Sequence, residues 1–163
     1  MNMNDIKQFK VVLLGAGNLA TSLGLALVKS GFCVEQVYSR TLEAAQTLAN
    51  VLNASAVSSL EELSNSADVY LLALKDDALP GVIQQVCRLN PHAVYAHTAG
   101  SVPMSVFNNL AVNHGVLYPL QTFSKQKPLD FNTIPCLIEG ANAFSQDILW
   151  RIAHALSNNV HLA

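Results

Sequence analysis

Val11-Val12-Leu13-Leu14-Gly15-Ala16-Gly17-Asn18-Leu19-Ala20 is the stretch whose reading decides the fold. Phe9 to Leu14 reads as a fully buried strand. After the two glycines, Leu19, Leu23, Ala26 and Leu27 recur on one helical face, and Gly31 stands where a helix C-terminal glycine is expected. A buried strand, a glycine turn and an amphipathic helix in succession predict the first half of a βαβ unit.

The same alternation continues outward. Val34 to Tyr38 reads as a second strand. Leu42, Ala45, Leu48, Ala49 and Leu52 mark a second helix with Thr41 at its N-cap, and Ala54 to Val57 a third strand. Ser59 and Glu62 have capping-box spacing for a helix of one or two turns. Asp68 to Leu74 is the clearest strand, followed by a helix over Ala78 to Leu89 that tolerates Pro80 in its first turn. Further strands are expected at Ala93 to Ala96, Gly115 to Tyr118 and Pro135 to Glu139, with a short helix at Pro103 to Leu110. Ser124 to Thr133, holding Lys125, Lys127 and Pro128, reads as a polar connection. Ile148, Leu149, Ile152, Ala153 and Leu156 stripe a final helix, and Asn159 to Ala163 begins another strand. The expected fold is α/β: a doubly wound, mainly parallel sheet in three α/β/α layers, forming one domain over residues 1–163.

The chain has 163 residues, 51% hydrophobic and 12% charged, with nine Lys plus Arg against eleven Asp plus Glu. Soluble domains carry about 25% charged residues, so an apolar surface normally covered by something else is expected; we place it around the last helix and Asn159 to Ala163. A net charge of -2 leaves no basic footprint for nucleic acid or an anionic membrane. Polar interruptions exclude a membrane span, and Met1 to Lys10 lacks the apolar core of a signal peptide, which makes the cytoplasm the expected location. Cys33, Cys87 and Cys136 are odd in number and lack a CxxC spacing, so they read as small buried hydrophobes.

The glycine turn has the form G-x-G-x-x-A. Gly15 permits the tight turn, Gly17 lets the backbone of Ala16 to Leu19 approach a pyrophosphate, and Ala20 keeps the helix close to the strand. The opposing reading is a glycine turn that merely packs. At the end of the second strand, where NAD sites place an acid, this chain has Ser39-Arg40-Thr41. A guanidinium pairs with a 2'-phosphate and the two hydroxyls add hydrogen bonds, which favours NADP (NADPH); the opposing reading of Arg40 is a solvated loop charge. S-adenosylmethionine proteins also use a glycine turn, but they too usually carry an acid after the second strand.

In a doubly wound sheet the ligand lies over the carboxyl ends of the strands. There the chain offers Leu72-Ala73-Leu74-Lys75-Asp76-Asp77-Ala78, then Ala96-His97-Thr98-Ala99-Gly100-Ser101, then Leu117-Tyr118-Pro119-Leu120-Gln121-Thr122-Phe123. Ala73 and Leu74 are placed beside the cofactor's ribose and nicotinamide, and Thr98 is grouped with them. His97, Tyr118 and Lys75 are the candidate proton donors, with a purely structural histidine as the opposing reading of His97. His92, His114, His154 and His161 lack metal-cage spacing and read as surface or cap residues.

The combination GAGNLA, YSRT, LLALKDDAL, HTAGSVP and GVLYPLQTFSK resembles the Rossmann-like proteins that carry a C-terminal DUF2520 helical domain. These sit in the wider group of pyrroline-5-carboxylate reductase, 6-phosphogluconate dehydrogenase-like enzymes and F420-dependent NADP oxidoreductase. The resemblance implies an NADP-dependent oxidoreductase acting on a small molecule, with Gly15, Gly17, Asn18, Leu19 and Ala20 on the pyrophosphate and Ser39 and Arg40 on the ribose phosphate. It also implies a helical domain not contained in these residues and a homodimer in the full-length member. Two positions depart from the relatives: Tyr118-Pro119 stands where His-Pro is common, and Lys75 where Pro is frequent. A non-enzymatic NADP or nucleotide sensor or assembly module is the alternative function.

Overall fold

The computed structural model describes residues 3–121 and 130–163; Thr122, Phe123 and most of the expected polar connection, including Lys125, Lys127 and Pro128, lie outside the described residues. Eight strands form one sheet: β1 (Lys10–Leu14), β2 (Cys33–Tyr38), β3 (Ser55–Val57), β4 (Val69–Leu72), β5 (Val94–His97), β6 (His114–Pro119), β7 (Cys136–Gly140) and β8 (Val160–Leu162). Their order is β3-β2-β1-β4-β5-β6-β7-β8. All neighbours from β3 to β6 pair in parallel; β7 runs antiparallel to β6, and β8 runs parallel to β7. The order reverses between β1 and β4, which creates a crevice over their carboxyl ends.

The helices are α1 (Met3–Ile6), α2 (Asn18–Lys29), α3 (Leu42–Leu52), α4 (Leu79–Val86) and α5 (Ala143–Leu156). Alternate residues of each strand face opposite layers. Val11 and Leu13 of β1 join a core with Leu23 and Leu27 of α2, Leu48 and Leu52 of α3, and Ile148, Leu149 and Ile152 of α5. Val12 and Leu14 join a second core with Leu79 and Ile83 of α4 and Phe107. This is the three-layer α/β/α arrangement the sequence predicts. In the second layer Tyr70 and Tyr95 stack at 4.8 Å, and burial pushes the Tyr70 phenol up to about 12.

Several local expectations are corrected. The fourth strand stops at Leu72, because Ala73 and Leu74 leave the sheet to turn past Gly15. The expected helix over Pro103 to Leu110 is a 3-10 turn at Met104–Phe107. The N-terminal segment adds a short helix whose Ile6 is buried in the first core. Cys33 opens β2 and is exposed, while Cys87 and Cys136 are buried. His114 is also buried: its Nδ1 lies 2.8 Å from the Ala111 carbonyl and its ring stacks on Phe107 at 5.3 Å. The stripe of α5 is covered. Exposed apolar side chains remain at Phe144 of α5 and Leu162 of β8, as expected, and also at Leu25 and Val28 of α2, Leu42 and Val51 of α3, and Leu110, Val112 and Leu120 of the loops.

Among the described residues, no helix is long and apolar enough to cross a membrane. Leu149 fills the space over Gly115, where a Cβ would come within 2.6 Å of its Cδ1. Leu149→Ala therefore removes a fully buried side chain and is expected to cost about 2–5 kcal/mol in urea unfolding, whereas Leu42→Ala on the exposed side of α3 stays within about 0.5 kcal/mol.

Candidate functional site

The site begins at the turn joining β1 to α2. Gly15 adopts φ +121°, a conformation that side-chain-bearing residues rarely reach. Its N–H donates to the Tyr38 carbonyl at 2.7 Å, and the Ala73 N–H donates to the Leu14 carbonyl at 2.8 Å. A Cβ on residue 15 would stand 2.2 Å from the Ala73 carbonyl oxygen, so only glycine lets the ends of β1, β2 and β4 meet here. Ala20 is buried, and its Cβ lies 3.6 Å from that same position, so its small size keeps α2 close to the turn.

Gly17 differs from Gly15. It caps α2 with no side-chain hydrogen bond, and a Cβ built on it would meet nothing within 4 Å. Thr21 folds back onto the Gly17 carbonyl through both its N–H and its hydroxyl. Asn18 is exposed, and Ala16 and Leu19 are half-buried. The helix's first-turn N–H groups and the positive end of its dipole therefore open onto unobstructed space. That fits an anionic group such as a diphosphate.

Ser39, Arg40 and Thr41 lie at the end of β2, on the same side of the sheet as the glycine turn. Arg40 and Thr41 are exposed and Ser39 is half-buried. Thr41 occupies the N-cap of α3, as expected, but its side chain makes no cap hydrogen bond there. Glu35, the acid nearest these residues in β2, lies within the strand rather than at its carboxyl end.

The loops after β4 and β5 are tied together, because the Ser101 hydroxyl donates to the Asp76 carboxylate. Ala73 and Leu74 are half-buried beside the turn, Thr98 is buried, and Lys75 is exposed. His97 is fully buried. Its Nδ1 accepts the Ala99 N–H at 3.0 Å and its ring stacks on Phe107 at 5.8 Å. The proton is thereby assigned to Nε2, which has no partner in hydrogen-bond geometry. Burial lowers its pKa, and the Pro103 carbonyl, the Asp76 and Glu139 carboxylates and the Val102 carbonyl only partly oppose that. His97 is therefore neutral and holds the loop from below.

Tyr118 is half-buried near the end of β6, with its ring lying where a Gly100 side chain would go. A Cβ on residue 100 would come 2.4 Å from its Cζ and 2.8 Å from its hydroxyl. The sequence reading missed Gly100 and the Asp76 to Ser101 bond. The HTAGS run could have hinted at the glycine, but its partner lies 18 residues downstream. Among the described residues, no group of three His, Cys, Asp or Glu side chains could hold a metal.

Two stability measurements check this geometry. Gly15→Ala forces both strain and a backbone clash and should cost about 1–3 kcal/mol, while Gly17→Ala should leave the melting temperature nearly unchanged. Because the folded pKa of His97 lies below its unfolded value, its neutral form contributes stability fully above the ordinary histidine range. That contribution is lost as pH falls through this range towards the folded pKa. The His97→Gln variant should show a flatter fall in stability between neutral and mildly acidic pH.

Comparison with known proteins agrees with the fold. A candidate NADP oxidoreductase from Bacteroides fragilis is 43% identical with a TM-score of 0.94, over 97% of this chain and 61% of that one. Prephenate dehydrogenase from A. aeolicus, in complex with hydroxyphenyl propionate and NAD+, is 13% identical with a TM-score of 0.82, covering 96% and 60%. Pyrroline carboxylate reductase from Plasmodium falciparum, with NADP bound, is 13% identical with a TM-score of 0.74, covering 96% and 58%. The chain thus spans about three fifths of the length of each. No protein of curated function matches. The model of the F420-dependent NADP oxidoreductases, one of the groups the motifs resemble, matches residues 10–98, from the start of β1 to the loop after β5, and the chain belongs to that family.

Proposed function

We propose that this chain is the NADP-binding domain of an oxidoreductase that exchanges hydride between NADPH and a small substrate with a C=O or C=N centre. The observation that carries the reading is the start of α2, uncapped by any side chain and open at Gly17, which leaves the first-turn N–H groups of a 12-residue helix facing free space. Ser39, Arg40 and Thr41 at the end of β2 favour the 2'-phosphate, since a guanidinium there attracts it and the strand end carries no acid of its own, the nearest downstream carboxylate being Glu43 in the first turn of α3. Membership of an NADP oxidoreductase family and a 43% identical neighbour described in the same terms support the same cofactor.

Bound NADPH supplies the hydride. The chain's own residues do the rest. Ala16 to Ala20 would hold the diphosphate, and Ala73, Leu74 and Thr98, at the ends of β4 and β5, would hold the ribose and nicotinamide half. His97, buried and neutral, positions the Ala99 to Ser101 loop through the Ala99 N–H. Reduction of C=O or C=N adds a hydride to carbon and a proton to the heteroatom, and Tyr118 and Lys75 are the exposed or half-exposed groups placed to give that proton. Contacts that enclose the acceptor and join two subunits are assigned to a C-terminal helical domain of the kind the motif resemblance implies. We place the protein in the cytoplasm.

Calorimetric titration tests the cofactor. NADPH should bind about tenfold or more tightly than NADH, and S-adenosylmethionine should give no heat; Arg40→Asp should abolish the preference, as expected for a lost charge-assisted bond. Gly17→Ala should fold normally yet lose NADPH affinity. Equal binding of NADPH and NADH, with Arg40→Asp leaving the ratio unchanged, overturns the phosphate assignment. Turnover of NADPH with coenzyme F420 but with no small ketone or imine overturns the acceptor class.

A further inference from the structure

The outer face of β6 and β7, on the α4 side of the sheet, is only partly covered. Val116 and Tyr118 of β6 pair with Glu139 and Leu137 of β7, so these four side chains share that face. Together with Ala99, Gly100, Val102 and Ala163 they line a half-open cavity of about 110 Å³. Its walls are of mixed polarity, and Glu139 is exposed at its edge. Glu139 is the one charged side chain in the lining, and Tyr118 supplies the one phenol, which makes no hydrogen bond among the described residues. The two are diagonal neighbours across the antiparallel pair, a spacing of about 7 Å that long side chains bridge through one small group.

We propose that this cavity is an acceptor subsite for a small protonated imine, whose C=N carbon takes the hydride to leave an amine, bound between the Glu139 carboxylate and the Tyr118 phenol oxygen. It deepens the reductase reading by naming the acceptor class, and it rests on that reading only for the word acceptor. A protonated imine brings its own proton, so here Tyr118 accepts the N–H together with the Glu139 carboxylate, and proton supply from Tyr118 or Lys75 is kept for a neutral C=O or C=N acceptor; a carboxylate meets a like charge. The surroundings reinforce that sign. Asp76 and Glu139 are the charged groups that act on the neighbouring His97, while Lys75 lies exposed in the loop after β4 and does not line the cavity. Gly100 sets the wall: its missing side chain is the space the Tyr118 ring occupies, so the phenol's position depends on that glycine.

The test uses the ¹⁵N-labelled 163-residue chain, following the amides of Ala99, Gly100 and Glu139 during titration with pyrrolidinium chloride, sodium acetate and acetone at low ionic strength. Pyrrolidinium should give saturable shifts at these amides and acetate none. Glu139→Gln should weaken pyrrolidinium about fivefold, the scale of one partly exposed ion pair. Tyr118→Phe should weaken it less, and Gly100→Ala should weaken it only while the Tyr118 ring is present, so that Gly100→Ala adds nothing in a Tyr118→Ala background. Acetate or acetone binding as tightly as pyrrolidinium, no saturable shift with any probe, or Glu139→Gln without effect overturns the proposal. NADPH titration of the same samples separates the two readings: pyrrolidinium binding without NADPH binding removes the cofactor assignment alone, and the reverse removes the subsite alone.

Discussion

Everything at the carboxyl edge of the sheet depends on one close approach, that of the Ala73 carbonyl to the α-carbon of Gly15. Because an oxygen stands where any side chain at residue 15 would have to be, β1 and β4 can end side by side. The neighbouring Gly15 bond to Tyr38 brings β2 to the same point. Three strand ends are thus fixed relative to the first turn of α2. The open geometry of the turn is a consequence of backbone packing alone.

Much of this was legible because it rests on local pattern. The apolar run of β1, the two glycines and the 3.6-residue period of α2 each carry their own signal, and each element from β2 to β6 repeats the scheme within two or three residues of its expected bounds. The direction of β7 was not legible, since an apolar strand such as Cys136 to Gly140 reads alike in either sense and only its partner fixes it. The burial of His97 and His114 was equally hidden. A histidine's sequence position does not reveal that Phe107, from a 3-10 turn, lies stacked between the two rings.

The low charge content has a simpler origin than its first interpretation. Strands such as Val69 to Leu72 are buried on both faces, and α5 hides its whole stripe, so most apolar residues are accounted for by the three layers. What is left exposed includes Phe144 of the last helix and Leu162 of β8, where it was expected, but is also scattered over α2, α3 and the loops that hold Leu110, Val112 and Leu120. Single exposed apolar side chains of this kind are ordinary on protein surfaces.

The hydrogen bond from Ser101 to Asp76 joins the loop after β4 to the loop that carries Gly100. Asp76 stands three residues after Ala73, and Ser101 stands next to Gly100, on which the Tyr118 ring rests. The loops after β4 and β5 are thus braced against each other by a side-chain bond between residues 25 apart in sequence, and the rim they form over the strand ends is held from two sides rather than one.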